Sequence, residues 1–429
     1  MKDATHNQRP QVAVIGAGVA GIVAAYLLQH RYHVSLFEKN DYVGGHTHTV
    51  VIDDGPDAGT PVDTGFIVLN DRTYPILNRF FRHLDVAIAK SDMSFSYYCQ
   101  KTGFQYASSS LDSLFAQRAN LVDPTHWVML GQILIFNRLV RLMLQRGALQ
   151  AFTLGRFLRR FHFSDRFRRQ YLFPMVAAIW SAPDVAVERF PMVSFARFFD
   201  NHGLLTLHRQ PQWYYVAGGS HTYVQAFLKR FSGRVHTGAA IAAIQRDDQG
   251  VTIQEANGQA HRFDQVVIAA HADEARGLLA DPTAEERRLL GAWRYSTNET
   301  VLHTDLRWMP TNRRAWASWN VFRSAGADER AGVTLTYHMN RLQRLQTQRQ
   351  YLVTLNPFAP IAEDRIIASM TYTHPTYTAE SLATQRELPR LNGVRRTCYC
   401  GAYFGHGFHE DGARAGVQAA AALGADDVF

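Results

Sequence analysis

The stretch Gln11 to Glu38, QVAVIGAGVAGIVAAYLLQHRYHVSLFE, constrains the fold of this chain more than any other. A β-rich run, Val12 to Ile15, meets Gly16-Ala17-Gly18-Val19-Ala20-Gly21; an apolar run of helical length follows, and a second β-rich run, Val34 to Phe37, ends on Glu38. That order predicts a βαβ unit with a dinucleotide fingerprint. Gly16 permits the tight turn from strand to helix, Gly18 lets backbone approach a pyrophosphate, and Gly21 lets helix and strand pack closely. A diphosphate can then rest on the free N–H groups of the helix N-terminus. Glu38, 22 residues beyond Gly16, falls where a carboxylate accepts both ribose hydroxyls and repels a 2′-phosphate.

The residues after the acid choose between dinucleotides. Lys39 to Thr49 carries a second glycine pair, Gly44-Gly45, followed by His46 and Thr47, where another backbone loop can close over the same diphosphate. Thr47 to Ile52 and Thr60 to Val68 read as strands around a turn, and contain Asp63-Thr64-Gly65-Phe66-Ile67. Further on, Trp213 to Ser220 ends in a Gly-Gly pair before a helix predicted over Tyr223 to Phe231. Thr397 to Ala402 reads as a strand ending in glycine, and Phe408-His409-Glu410-Asp411-Gly412 opens a final helix.

These elements together resemble the flavoprotein superfamily of amine oxidases, phytoene desaturases and protoporphyrinogen oxidases. Gly44, Gly45 and Thr49 match its Gly-Gly-Arg-x-x-Ser/Thr element, with His46 in place of the arginine. The terminal motif matches without a gap, with Asp411 and Gly412 replacing the expected Gly-Ala pair. The runs GGHTHTV, VDTGFIVLNDRTYP and CGAYFGHGFHEDG are similar to a bacterial family of FAD-dependent oxidoreductases like the oxidase-like N-terminal half of plant cyclopropane fatty acid synthases. The resemblance implies non-covalent FAD in an α/β fold: a Rossmann-like, three-layer ββα FAD-binding domain with an inserted mixed-sheet and helical substrate domain. Residues 1–70, 213–291 and 391–429 are expected to form the first, with a helical cap at 71–212 and a substrate-domain sheet at 292–390. It also implies contacts to the cofactor from Gly16, Ala17, Gly18, Val19, Ala20, Gly21, Glu38, Lys39, Gly44, Gly45, His46, Thr47, Gly65, Phe66, Gly401, Ala402, Phe408, Asp411 and Gly412, with Ile241 at the adenine. Asp411 is expected to cap its helix, because a free carboxylate there would oppose negative charge on a reduced ring.

Composition enters where it limits partners. With 429 residues, 46% of them apolar and 12% aromatic, the chain can bury a large core and a large apolar cavity. No run reaches about 18 uninterrupted apolar residues, so no spanning helix is expected. Between Phe136 and Phe173 there are nine arginines (Arg138 to Arg169) against one acid, Asp165, which equals the whole +8 excess of the chain. Interleaved with Leu, Phe, Met and Ile, they suit either a helix on an anionic membrane surface or a solvated face packed on the domain. No base-reading module is evident, so no nucleic acid is expected. Three cysteines, Cys99, Cys398 and Cys400, suit a reducing cytoplasm with no disulfide and no metal site. The expected location is the cytoplasm, peripheral on the inner face of its membrane.

For the chemistry, the amine-oxidase relatives carry a lysine in the second half of the chain and a tyrosine in an aromatic cage. This chain has no lysine after Lys229, and Phe408 stands at the tyrosine's place. The reading preferred is an FAD-dependent oxidoreductase that desaturates a fatty acyl chain or phospholipid acyl group, branched or cyclopropane-modified, by hydride transfer to flavin N5. Alternatives are a double-bond isomerase, an amine oxidase, and a non-catalytic flavoprotein partner of a lipid methyltransferase. His406, His409 and Glu410 are the acid/base candidates, since the motif puts them at the isoalloxazine end.

Overall fold

The computed structural model describes residues 9–180, 184–206, 210–324, 326 and 333–429. The expected helical cap, 71–212, crosses residues 181–183 and 207–209, which lie outside the described residues.

Five parallel strands form the central sheet, in the order Arg234–His236, His33–Phe37, Gln11–Ile15, Gln265–Ile268 and Thr397–Tyr399. Side-chain alternation splits it into two packed faces. Val12, Val14, Val34, Leu36 and Val267 face a helical layer, whereas Ala13, Ile15, Phe37, Val266 and Ile268 face the other way. Covering the second face is a three-stranded antiparallel sheet, Ile241–Arg246, Val251–Glu255 and Ala260–Phe263. The result is a three-layer ββα domain. A sheet buried on both faces reads as near-continuous apolar runs, which is how VAVI and QVVI look in the sequence.

The helix Val19–Leu28 is buried at every residue. Its neighbour is the C-terminal helix His409–Ala422, and a Cβ at Gly416 would sit 2.4 Å from the Ala20 carbonyl oxygen. Small residues at this crossing let two backbones touch. The helices Pro75–His83 and His221–Arg230, the second close to its sequence expectation of Tyr223 to Phe231, complete the layer.

The second domain centres on a seven-stranded mixed sheet: Ile366–Thr376, Arg294–His303, Leu352–Leu355, Thr334–His338, Trp319–Arg323, Phe95–Cys99 and Gln105–Ala107. Its last two strands come from the 71–212 segment, which reads as helical in the sequence; Phe95–Cys99 runs parallel to Trp319–Arg323. These strands are only five and three residues long. They carry too little alternation to stand out beside the long helical runs that follow. Helices from Pro124 to Asn201 pack on this sheet through a cluster of phenylalanines.

One of them departs from expectation. Pro124–Gln145 runs 22 residues, and its most apolar window has mean hydropathy 1.4, long and apolar enough to cross a membrane. The uninterrupted-run criterion does not single it out because Gln132, Asn137, Arg138 and Arg141 interrupt the apolar residues without breaking the helix.

Candidate active site

Each parallel strand ends at one long cavity of 1940 Å3, the place where open α/β sheets bind ligands. Small-molecule pockets run to about 1,000 Å3. This one has room for a large cofactor and a substrate together.

Its first end is built from backbone. Gly16 has φ +98°, and a Cβ there would lie 2.8 Å from the Ala269 carbonyl oxygen. A Cβ on Gly21 would lie 1.9 Å from the Gly16 carbonyl oxygen, so helix and turn meet only without a side chain. Gly18 has nothing within 4 Å of its Cβ position, and lines the cavity with Val19 and Ala20. The Gly44 N–H donates to the Ala17 carbonyl at 2.9 Å, joining the second glycine loop to the first, with Gly45 on the cavity side. Glu38 is 5% exposed; Oε2 accepts the Ala17 N–H at 2.8 Å and Oε1 the Asn40 N–H at 3.0 Å. Ile241 closes the end, beside Ala239. Lys39 also lines it, with its ammonium paired to Glu274 at 2.7 Å.

The middle is braced by neutral imidazoles. His46 donates Nε2–H to the Thr373 carbonyl at 3.1 Å, which leaves Nδ1 as an acceptor. Burial, helped by His374 and His271 nearby, pushes its pKa down to about 3. It therefore supplies no charge where the family pattern has arginine. A diphosphate here depends on backbone N–H groups and the helix dipole. Gly65 lines the cavity, and a Cβ there would meet the His46 carbonyl oxygen at 2.1 Å. Thr47 turns away from the cavity to a hydroxyl pair with Tyr223 at 2.6 Å.

Three residues proposed for acid/base work are separated by the structure. His409 stacks on Phe66 at 3.8 Å and 6°, and its Nε2 sits 2.9 Å from Thr47 Oγ1 and 3.1 Å from the Tyr223 hydroxyl. Burial holds its pKa at about 3, so it is a neutral brace between the glycine loop and a helix. Glu410 points off the cavity. Its two oxygens accept the Ile76 and Leu77 N–H groups, each at 3.0 Å, capping the helix Pro75–His83. Burial raises this carboxyl to about 7 against those two bonds. His406 and His409 both line the cavity, and the His406 ring lies 5.8 Å from Phe198 of the cap. Asp411 caps its own helix, accepting the His406 N–H at 2.9 Å and the Phe408 N–H at 3.1 Å. Gly401, Ala402 and Gly412, none with a side chain larger than a methyl, line the wall there.

The far end is made of side chains from the cap. Phe408 stacks against Phe198 at 5.2 Å and 20°, and His202 lies 5.4 Å from it. His202 was invisible in the sequence, one of 19 histidines in an aromatic run. It follows the helix Met192–Asn201 and donates Nδ1–H to the Phe198 carbonyl at 2.9 Å. The other nitrogen, Nε2, is then a lone-pair acceptor. Burial lowers the pKa to about 4, which keeps it so at neutral pH. Beyond these, Leu130, Ile133, Met175, Ile179 and Leu204 give the wall an apolar character. Among the described residues the charged pair there, Arg341 with Asp92 at 2.5 Å, is self-neutralised.

Comparison with known proteins agrees with this geometry. Residues 19–424 match the family of flavin containing amine oxidoreductases. Cyclohexylamine oxidase from Brevibacterium oxydans IH-35A superposes with TM-score 0.68 at 16% identity, over 97% of this chain and 98% of its own. A CLA-producing fatty acid isomerase from P. acnes does so with TM-score 0.68 at 15% identity, over 95% and 97%. At such identities these likenesses carry the fold. The FAD-dependent oxidoreductase dbaF of Emericella nidulans is 37% identical over 95 residues, 22% of this chain and 19% of its own length. A 1-hydroxycarotenoid 3,4-desaturase from Flavobacterium sp. (strain P99-3) is 53% identical over 38 residues, 9% of this chain and 8% of its own. The chain therefore spans under a fifth of either curated relative. The chain belongs to the flavin containing amine oxidoreductase family and is an FAD-dependent oxidoreductase. The open N–H end at Gly18, the buried acid at Glu38 and the bare wall at Gly412 fit that cofactor.

Proposed function

We propose that this enzyme dehydrogenates a fatty acyl chain, free or within a phospholipid, branched or cyclopropane-modified. One observation carries the reading: the cavity beyond Phe408 is lined mainly by apolar and aromatic side chains, and among the described residues the charged pair on its wall, Arg341 with Asp92, is internally neutralised. FAD, when bound, supplies two-electron oxidation at carbon. Gly16, Gly18, Glu38, Gly45 and Gly412 would hold it. The chain's own part is to desolvate and align the substrate. Phe198 and Phe408 flank the reacting end, the tunnel wall excludes water, and His202 Nε2 can take a proton from the adjacent carbon. Two groups that could hold an ammonium are already engaged: Phe408 lies against Phe198 and His202, and the carboxylate of Asp92 is held by Arg341.

A second reading, positional isomerisation of an unsaturated acyl chain, is supported by the fold likeness to the fatty acid isomerase over 95% of this chain. Mass spectrometry of phospholipids turned over by the holoenzyme separates the two. A product lighter by two hydrogens supports desaturation, equal mass with a moved double bond supports isomerisation, and an aldehyde from an amine panel alone refutes both. The enzyme is expected in the cytoplasm, where membrane acyl chains are within reach.

A further inference from the structure

The helix Pro124–Gln145 is apolar on two sides. Met129, Phe136 and Val140 are buried against the cap's phenylalanine cluster. On the opposite side Val128, Ile135 and Leu142, seven residues apart, are 54%, 60% and 41% exposed. Trp127 and Leu134 lie beside them, 51% and 53% exposed, and the turn before the helix leaves Val122 85% exposed. A contiguous apolar patch of this kind on a folded surface marks a docking face.

Two further facts select the occupant. Trp127 and Leu134 line the tunnel as well as the outer surface, so the tunnel's far wall is the molecule's surface at this helix. The patch is also flanked by cations. Of the nine arginines between Phe136 and Phe173, Arg141, Arg159, Arg166 and Arg168 are engaged by Asp200, Glu188, Asp123 and Asp165. Arg138 and Arg146, exposed at the C-terminal half of the same helix, make no ion pair among the described residues. A second copy docking through this face would set like charges against each other. A surface with an apolar interior and anionic headgroups complements it on both counts.

We infer that the outer face of Pro124–Gln145 lies in the interface of an anionic bilayer, with the tunnel mouth beside Trp127 and Leu134 opening into the acyl region. The helix does not cross, because Met129, Phe136 and Val140 hold it to the cap. Tryptophan at such a boundary keeps its indole N–H satisfied, and here it donates to the Leu121 carbonyl at 2.9 Å. The docking itself stands apart from the chemistry. Entry of substrate through the mouth rests on the acyl-chain reading.

The test is cosedimentation of holoenzyme with vesicles of phosphatidylcholine alone and of phosphatidylcholine with phosphatidylglycerol. Wild type is expected to bind the anionic vesicles, several-fold less in high salt. The Val128→Ser, Ile135→Ser, Leu142→Ser triple variant, which alters no tunnel residue, is expected to bind at least about tenfold less with unchanged FAD content. Arg138→Glu with Arg146→Glu should weaken binding about tenfold. Wild type that ignores anionic vesicles, or a triple variant that binds them equally, overturns the proposal. So does a concentration-dependent dimer dissolved by the triple variant, which gives the face to a second copy. Flavin reduction is read separately on vesicles that carry unsaturated, cyclopropane or methyl-branched chains: docking without it leaves the interface standing and removes the desaturation reading.

Discussion

The two ends of the cavity are made of different materials. At the dinucleotide end the functional atoms are backbone N–H and C=O groups, held by glycines whose missing side chains are the point, and one buried carboxylate. At the cap end they are side chains gathered from helices and strands more than a hundred residues apart, such as Phe198, His202, Trp319 and Phe408. The first end tolerates almost no change of shape but is indifferent to substrate. The second fixes what reaches the cofactor, and its wall is partly the protein's own surface.

The sharpest way to break this contrast is at Gly21. Gly21→Val forces a side chain into the Gly16 carbonyl, where even a Cβ would sit 1.9 Å away. We expect colourless protein with FAD lost, and a stability loss of about 3 kcal/mol or more, read by absorbance ratio and thermal melting. Next is the cap end. His202→Phe keeps the aromatic stack and removes the lone pair, so turnover should fall about a hundredfold or more while FAD content stays constant. An unchanged rate in that variant assigns proton removal elsewhere, with His406 the next group on the same wall.

Glu38→Gln sharpens the first end. It keeps an acceptor for the Ala17 N–H but weakens the bonds to ribose, and FAD dissociation should rise about tenfold, as expected for bonds to a charged group worth about 1.5–3 kcal/mol. An unchanged affinity would mean that the carboxylate serves only the loop. The smallest effect is expected at His409. His409→Phe leaves Thr47 and Tyr223 bonded to each other, so stability should drop by about 1 kcal/mol with turnover within about twofold of wild type.

The same imidazoles set a pH dependence. His46, His202, His374 and His409 are buried with pKa values of about 3 or 4, whereas in the unfolded chain each takes a proton near 6.5. The unfolded state thus binds more protons between those values, and stability falls as pH drops from 6.5 towards 4. Glu410 and Asp63, raised by burial to about 7 and about 6, work in the opposite direction, losing stability as pH rises from the ordinary carboxylate range. Four large imidazole shifts outweigh two carboxyls. The melting temperature should therefore decline steadily on acidification, and less steeply in His409→Phe. A flat profile would place protons on these histidines in the folded protein.

The contrast also explains what was readable in advance. Gly16, Gly18, Gly21 and Glu38 sit in one continuous stretch, and their spacing is dictated by strand, turn and helix geometry, so the sequence alone carries them. The terminal motif placed its helix and the Asp411 cap but not the side chains of His409 and Glu410. Glu410 looks like an active-site acid in the sequence, yet a helix from a distant segment presents two free N–H groups to it. His409 finds Thr47 and Tyr223, contacts spanning 362 and 186 residues. His202 carries no local signal, because its role depends on a hydrogen bond to Phe198 and on Phe408 arriving from the other domain. Strands Phe95–Cys99 and Gln105–Ala107 pair with each other as a local hairpin and were hidden by their shortness; only the pairing of Phe95–Cys99 with Trp319–Arg323 reaches across the chain.

The central claim is that the apolar end delivers an acyl chain to the cofactor held at the polar end. Anaerobic titration of the yellow holoenzyme tests it directly, with phospholipids bearing unsaturated, cyclopropane or methyl-branched chains alongside a panel of amines, while visible flavin absorbance is followed. The account predicts bleaching by a lipid, with a matching new double bond in that lipid. Bleaching by amines alone would contradict it.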